Sequence, residues 1–387
     1  MNALRPDCFS PTESATEGSL GHIKRLADTQ QLAMAPSTMK AVVKTETGKV
    51  EVKLIKVPQP GSGQVLVKVF AAAQNPSDWM KLKDGWGEGP ECVCGHDFAG
   101  VIERVGPDVS PERKAGQRVA GWVDGCWSVE DGGAFAEYTV VDASLLVDLP
   151  DNMSFESGST LCFAAFTGCQ ALWQNQNLPT PLEPAKTSFP ILVWGGASAV
   201  GQYVVQLTKL AGLQVITAAS PQNHELMKKI GADAVFDYKD PEAVSKIKSF
   251  CGDRELSVAI DCASLPESVL PISQCLGDRE GTYIALVMPA QIPAKHIKSD
   301  FTFVYTLLGK QTKGPYDYPA EAKHYEQGKS FAKMLSQILK ENKIQANPTR
   351  VVPNGLADAQ FWFDYQEQGK VRAHRIVYSI DESSSYL

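Results

Sequence analysis

No stretch of this 387-residue chain stays apolar for the roughly 18 residues that a membrane-spanning helix needs. The most apolar run, Ile191 to Leu207, is interrupted by Gly195, Gly196, Ser198, Gly201, Gln202 and Gln206; the expected protein is soluble, with no membrane partner. Also missing is a charged-then-apolar leader, and the 9 cysteines are scattered, with an odd count that leaves at least one unpaired. That pattern favours a reducing, intracellular setting, and the cytoplasm is the expected location. Positive charge is not in excess: 37 Lys and Arg face 44 Asp and Glu, a net charge of −7. A globally basic surface for nucleic acid is thereby excluded, although a local basic patch is not. With 43% hydrophobic and 21% charged residues, and 31 Gly and 24 Pro close to average usage, the chain is neither mostly disordered nor fibrous. At about 150 residues per domain it has room for two or three, two being the economical number.

Residues 1–38 are rich in Ser, Thr, Pro and small polar residues and have no sustained apolar period, so they read as a mobile extension. Asp7, Glu13, Glu17 and Asp28 argue against an organellar targeting peptide, which is acid-poor. Order begins at Met39, where Lys40 to Lys44 and Val50 to Ile55 read as two strands around the turn Thr47-Gly48-Lys49. Short strands continue to about residue 150. Val65, Val67 and Val69 alternate along one, and Gly100 to Val105, Val119 to Val123 and Phe135 to Val141 follow, with Gly or Pro between. This spacing predicts a compact β-rich barrel.

Beyond residue 190 strands and helices alternate, the pattern of a doubly wound parallel sheet with crossover helices and hence of an α/β fold. The buried strand Ile191 to Trp194 enters Gly195-Gly196-Ala197-Ser198-Ala199-Val200-Gly201, and Gln202 to Leu210 continues as a helix. Small residues let backbone approach a pyrophosphate, while the helix start offers free N–H groups and the positive end of its dipole, so the turn outlines a dinucleotide site. The motif G-x-G-x-x-G fits imperfectly: Gly196 and Gly201 hold the outer positions and Ser198 the middle one. Further strand-like runs at Leu213 to Ala218, Ala234 to Asp237, Val258 to Cys262 and Thr282 to Met288 supply the context.

The end of the second strand selects the cofactor. An NAD site places an acid there for the ribose hydroxyls. Here Thr217 is followed by Ala218-Ala219-Ser220-Pro221-Gln222-Asn223-His224, with no acid before Glu225. Ser220 and Asn223 can bond a 2′-phosphate without repelling it, and Lys228 and Lys229 add positive charge one helical turn on. NADP(H) is therefore expected, although Ser220-Pro221 would cap a helix equally well in a cofactor-free domain. Cys92-Val93-Cys94-Gly95-His96-Asp97 resembles a metal cluster at first sight, but no second Cys or His pair follows at suitable spacing and Cys126 stands alone. Structural or incidental use of these cysteines, with no zinc, is expected.

In order, these segments resemble the medium-chain dehydrogenase/reductase superfamily. The residues that carry the resemblance are Asn75-Pro76-Ser77-Asp78-Trp79, Gly95-His96-Asp97-Phe98-Ala99-Gly100, Ala115-Gly116-Gln117-Arg118-Val119, Gly132-Gly133-Ala134-Phe135-Ala136-Glu137-Tyr138 and the turn Val193 to Gly201. The resemblance implies a GroES-like catalytic domain at 39–160 and 320–387, with a Rossmann dinucleotide-binding domain inserted at 161–319. Zinc-dependent members have Cys where this chain has Asn75 and carry a four-cysteine lobe absent here, so the match is to the zinc-free branch. Within it, Trp194 to Ser198, Ala219 to Asn223 and Phe236-Asp237-Tyr238 look most like fungal trans-acting enoyl reductases, which partner polyketide synthases or synthase–peptide synthetase hybrids. The resemblance implies reduction of the α,β-double bond of a carrier-bound polyketide thioester by NADPH. It implies cofactor contacts at Ser77, Asp78, Trp79, Met80, Ser198, Ala199, Val200, Gly201, Ser220, Pro221, Gln222, Asn223, His224, Tyr238 and Val287. It also implies an acyl channel along Gly168, Cys169, Gln170, Ala171, Leu172, Trp173, Gln174 and Asn175, and along Tyr305, Thr306, Leu307, Leu308 and Gly309. Two places depart from the family: Met80 stands where Lys follows the Asp-Trp pair, with Lys81 only after it, and Arg372-Ala373-His374-Arg375 replaces a Ser-Gly-Lys-like stretch. Val371 and Arg372 are the candidate contacts there.

Such chemistry needs neither nucleophile nor metal, only placement of the nicotinamide against the alkene and stabilisation of the developing enolate. Thr167 is the candidate catalytic residue, unless its hydroxyl merely satisfies a helix carbonyl. Tyr305 and Tyr325 are candidate proton donors, with water as the alternative. A stand-alone quinone or enone reductase would share the cofactor site, and a non-catalytic protein binding NADPH or an acyl chain for a synthase is the reading from another class. Pro289 and Pro293, following the strand Thr282 to Met288, would discourage edge pairing, so a monomer is expected.

Overall fold

The computed structural model describes residues 35–380 except 88, 131, 278–279 and 313–315. The extension expected at 1–38 lies almost wholly outside the described residues. β1 (Thr38–Lys44) and β2 (Val50–Lys56) form an antiparallel hairpin whose turn uses Gly48 at φ +73°. β3 (Gln64–Ala73) is the hub of the β-rich part. One side of it pairs with β4 (Asp97–Val105), and its other side takes β6 (Tyr138–Asp142) on the first half and β15 (Arg375–Ser379) on the second. Adding β5 (Arg118–Trp122), β7 (Val147–Asp148) and β14 (Thr349–Val351) completes a seven-stranded sheet. Val65, Val67 and Val69 bury together with Phe98, Ile102 and Phe135, so the alternation read from the sequence marks the core face.

The second sheet is parallel, in the order β10-β9-β8-β11-β12-β13. Its strands are β8 (Pro190–Trp194), β9 (Gln214–Ala218), β10 (Ala234–Phe236), β11 (Val258–Asp261), β12 (Tyr283–Leu286) and β13 (Lys298–Phe301). The strand order reverses between β8 and β11, and a crevice beyond the carboxyl ends of strands at such a switch is where an open α/β sheet binds its ligand. Here the structure corrects one expectation. The strand read at Thr282 to Met288 is not the edge, because β13 pairs beside it, and Pro289 and Pro293 lie in the connection between the two. Lys298-Ser299-Asp300-Phe301 gives no strand signal in the sequence because it carries polar, mostly exposed residues and is held by backbone pairing.

Four helices frame the site: α1 (Pro76–Lys83), α2 (Cys162–Trp173), α3 (Ala199–Leu210) and α4 (His224–Lys229). A later helix, α5 (Ala322–Lys340), shares a core with α2, burying Phe331, Leu335 and Ile338 with Leu172 and Leu307. No helix among the described residues is long and apolar enough to cross a membrane.

Candidate active site

The fully buried strand β8 ends at Gly195, whose φ of +73° disfavours a side chain. A Cβ at Gly196 would sit 2.1 Å from Thr217 Oγ1, and one at Gly201 would sit 2.4 Å from Gly195 O. Both outer glycines are therefore imposed by close packing of strand, turn and helix. The middle residue, which departs from the motif, serves the helix instead. Ser198 is the N-cap of α3 and accepts a 3.0 Å hydrogen bond from Gly201 N. The Ala199 and Val200 amides, in the first helical turn, have no intrahelical acceptor, and both residues line a cavity of about 340 Å³.

Ser77 and Met80 from α1, Thr167 from α2, Val287 after β12, and Phe303 and Tyr305 after β13 close that cavity, whose lining is mostly apolar. Asn75 N donates to Asp78 Oδ2 at 2.7 Å and Pro76 occupies the first turn, so α1 starts at the cavity wall. Ser77 Oγ is buried near the Tyr305 phenol without a well-aligned hydrogen bond in the chain. Thr167 Oγ1 donates to Phe163 O at 2.7 Å, which engages its proton within the helix.

Behind the cavity lies a buried polar cluster. Asp78 does not line the cavity; its carboxylate bonds His96 Nδ1, and His96 Nε2 is 2.9 Å from Tyr305 Oη. Lys81, only 2% exposed, pairs with Asp124 and donates to Gly125 O at 3.0 Å. Burial, and then the charge of Asp124, pushes the Tyr305 phenol well above its ordinary pKa, so it carries its proton at neutral pH. Next to this cluster Asp97 meets Arg375 at 2.9 Å, Asn75 Nδ2 at 3.0 Å and Phe163 N. Burial raises the Asp97 pKa, and the Arg375 charge opposes the rise.

At the far end of the turn, Ser220 Oγ and Tyr238 Oη are 3.4 Å apart on a solvent-facing rim, and His224 Nε2 approaches Ala219 O at 3.0 Å. The 3-10 turn Pro221–Asn223 leads into α4. Lys228 is tied to Glu225 at 3.0 Å.

The chain's sequence matches the alcohol dehydrogenase GroES-like domain over residues 61–151 and the zinc-binding dehydrogenase model over 199–316. It is 35% identical over 352 residues to the trans-enoyl reductase ACTTS2 of Alternaria alternata, covering 89% of this chain and 99% of that one. The trans-enoyl reductase caaB of Aspergillus niger is 33% identical over 363 residues, covering 89% and 98%. The chain belongs to the trans-enoyl reductase family. Its fold is that of an alcohol dehydrogenase superfamily protein from Novosphingobium aromaticivorans, with a TM-score of 0.73, 21% identity, and coverage of 89% of this chain and 100% of that one.

For this family member the structure sorts the residues singled out in the sequence. Ser77, Met80, Thr167, Ser198, Ala199, Val200, Val287 and Tyr305 converge on the cavity. Trp79 instead packs on the barrel core, as does Val371. Arg372 lies beside α3 through its neighbour Ala373, whose carbonyl accepts from Gln202 Nε2 at 3.4 Å. Gly168, Cys169, Gln170, Ala171 and Leu172 are outside the lining and buried: a Cβ on Gly168 would meet Val204 of α3 at 3.1 Å, and Gln170 Nε2 donates to Thr306 Oγ1 at 3.0 Å. Helical rotation carries this half of α2 away from the cavity that Phe163 and Thr167 face. Trp173 donates to Pro179 O at 3.0 Å, and Gln174 and Asn175 sit beyond it. Thr306 and Leu307 are core residues, Leu308 faces a different cavity, and Gly309 closes its turn at φ +68°.

Two expectations change. Tyr325 is not at the site: its hydroxyl donates to Asp142 at 2.6 Å, in a different cavity. Cys126 does not stand alone, because its thiol sits against that of Cys94, which lowers the Cys126 pKa while Cys94 is pushed up. Among the described residues no three His, Cys, Asp or Glu side chains converge on a metal position. Sequence reasoning missed His96 and Lys81 as members of the site's inner cluster; the signal available was a charged pair, Asp78 and Lys81, three apart on one short helix.

Proposed function

We propose that this protein is an NADPH-dependent enoyl reductase that saturates the α,β-double bond of a carrier-bound polyketide thioester, working in trans with its synthase. Family membership supports the reaction class, and one structural observation carries the reading. The apolar cavity of about 340 Å³ joins the dinucleotide turn at Ser198 to Val200 to a wall built by Ser77, Met80 and Tyr305. The residues fit a dinucleotide: glycines at 196 and 201 leave no room for a Cβ, the first residues of α3 line the cavity at the helix start, and Ser77 offers a buried hydroxyl for a polar group. When bound, the reduced nicotinamide supplies the hydride.

The chain's own contribution is then positional. Ser198 to Gly201 would hold the pyrophosphate, and Ser220, Asn223, His224 and Tyr238 would surround the 2′-phosphate. Phe163, Phe301 and Phe303 exclude water from the reacting carbons. No zinc is assigned to the reaction, since Asn75 is spent on Asp97 and His96 is spent on Asp78 and Tyr305. The test incubates the purified protein with NADPH or NADH and a short enoyl thioester, with and without the synthase, and measures metal content alongside. NADPH consumption without stoichiometric zinc is expected; tightly bound stoichiometric zinc, or cofactor-dependent synthase binding with no oxidation of NADPH, contradicts it.

A further inference from the structure

Saturating the alkene requires, besides a hydride on the β-carbon, a proton on the α-carbon. The cavity's hydroxyls are not equivalent as sources. Thr167 donates to Phe163 O, whereas Tyr305 is backed by an imidazole at 2.9 Å. That imidazole is fully buried, and its other nitrogen bonds the buried carboxylate of Asp78. The two imidazole nitrogens thus bridge the Asp78 carboxylate and the phenol oxygen. A proton on each nitrogen, one donated to Asp78 and one to the phenol oxygen, is the arrangement that leaves the phenol O–H free for the cavity, and it is the one the proposal uses. On its other side the cluster reaches water: His96 Nε2 lies 4.0 Å from Asp124 Oδ1, and Asp124, 18% exposed, lines a polar cavity of about 270 Å³ shared with Glu130 and Lys310. Lys81 pairs with Asp124 and places its ammonium 4.5 Å from the centre of the Tyr305 ring, where it favours any negative charge passing through that ring.

We infer that Tyr305 is the general acid of the reaction and that His96, held by Asp78, resupplies its proton from the Asp124 side. This rests on the enoyl reductase reading above. In the step, hydride from the reduced nicotinamide dinucleotide adds to the β-carbon, and the alkene electrons pass to the thioester as an enolate. The enolate α-carbon takes the Tyr305 proton as the O–H bond breaks, and His96 Nε2–H passes to the phenol oxygen. Neutral His96 then takes a solvent proton by way of the Asp124 cavity, so each turnover consumes one hydride and one solvent proton. Tyr305 is the catalytic residue, and His96, Asp78 and Asp124 act through it.

The experiment reduces crotonyl-pantetheine with NADPH in D2O and reads kcat, the facial distribution of deuterium at the α-carbon, and NADPH affinity by fluorescence. The wild type is expected to deuterate one face. Tyr305→Phe, which keeps the ring, is expected to lower kcat about 100-fold, the usual scale of general acid catalysis, to lose facial selectivity and to bind NADPH within two-fold of the wild type. His96→Gln keeps an amide donor toward the phenol but no acidic proton, so kcat falls comparably while one face is still chosen. Tyr305→Phe with kcat within three-fold of the wild type and selectivity intact overturns the assignment in favour of water. Deuteration of both faces by the wild type overturns it without any variant. A wild type that oxidises no NADPH with the thioester, alone or with its synthase, fails the enoyl reductase reading itself, a result distinct from either.

Discussion

Replacing Arg375 with Met tests how the floor of the site is held. Arg375 lies on β15, remote in sequence from the cavity, yet its Nε donates to Gln74 O at 3.1 Å, its Nη1 to Thr160 O at 3.1 Å and its Nη2 to Asp97 at 2.9 Å. It thus ties together the residue before Asn75, the turn before α2 and the start of β4. Met fills similar volume but leaves Asp97 buried without its cation, a loss on the order of 3–5 kcal/mol for a broken buried pair. The electrostatic part has a ceiling, because Asp97 can bind a proton instead. At pH 7 that ceiling is the cost of holding a proton about three pH units above an unfolded-state pKa of about 3.9, or about 4 kcal/mol. A carboxyl with a raised folded-state pKa destabilises the fold above its unfolded pKa, and the penalty shrinks as pH falls. Wild-type Asp97 is itself raised and already carries part of that penalty, so urea unfolding followed by tryptophan fluorescence should show the variant about 2–3 kcal/mol less stable at pH 7. Where Asp97 is protonated in the folded variant and still ionised in the wild type, the deficit should close by about 1.4 kcal/mol per pH unit as pH falls toward 5. Adding Asp97→Asn should recover most of the loss. A deficit under about 1 kcal/mol at pH 7, or one equal at both pH values, would mean that Arg375 does not hold the Asp97 charge in the fold.

Three further outcomes are expected. Gly201→Ala must displace the turn at Gly195 O, at a cost of about 1–3 kcal/mol, and should weaken NADPH binding at least ten-fold in a fluorescence titration; unchanged affinity contradicts the cradle. Ser220→Asp puts a carboxylate beside Tyr238 and should lower the ratio of NADPH to NADH affinity at least ten-fold, whereas an unchanged ratio would place the 2′-phosphate elsewhere. Sedimentation velocity should give a monomer, because the edge strand β13 is four residues long and exposes Lys298 and Asp300; a stable dimer overturns this.

The parts of the molecule that were legible in the sequence are those where backbone demands fall on one residue type. The strand-turn-helix at Ile191 to Leu210 reads directly, because a positive φ at Gly195 and close approaches at Gly196 and Gly201 leave only glycine. The alternating valines of β3 read equally well. β13 was illegible because pairing with β12, and no side-chain pattern, makes it a strand. The inner cluster was hidden for a different reason. Asp78, His96, Asp124 and Tyr305 come from four separate segments, and only the fold brings them together. The acyl channel read along α2 failed to reach the cavity past Thr167 because a run of adjacent residues on a helix faces every direction in turn.

Hydride should pass from NADPH to an enoyl thioester in the cavity between Ser198 and Tyr305. The direct measurement follows label from NADPH deuterated at nicotinamide C4, one face at a time, into crotonyl-pantetheine by mass spectrometry and NMR, with the synthase's carrier-bound substrate in parallel. One of the two labelled cofactors should deliver a single deuterium to the β-carbon of the saturated thioester, one per NADPH oxidised. No saturated product with either substrate, or saturated product with no label at the β-carbon from either cofactor, contradicts it.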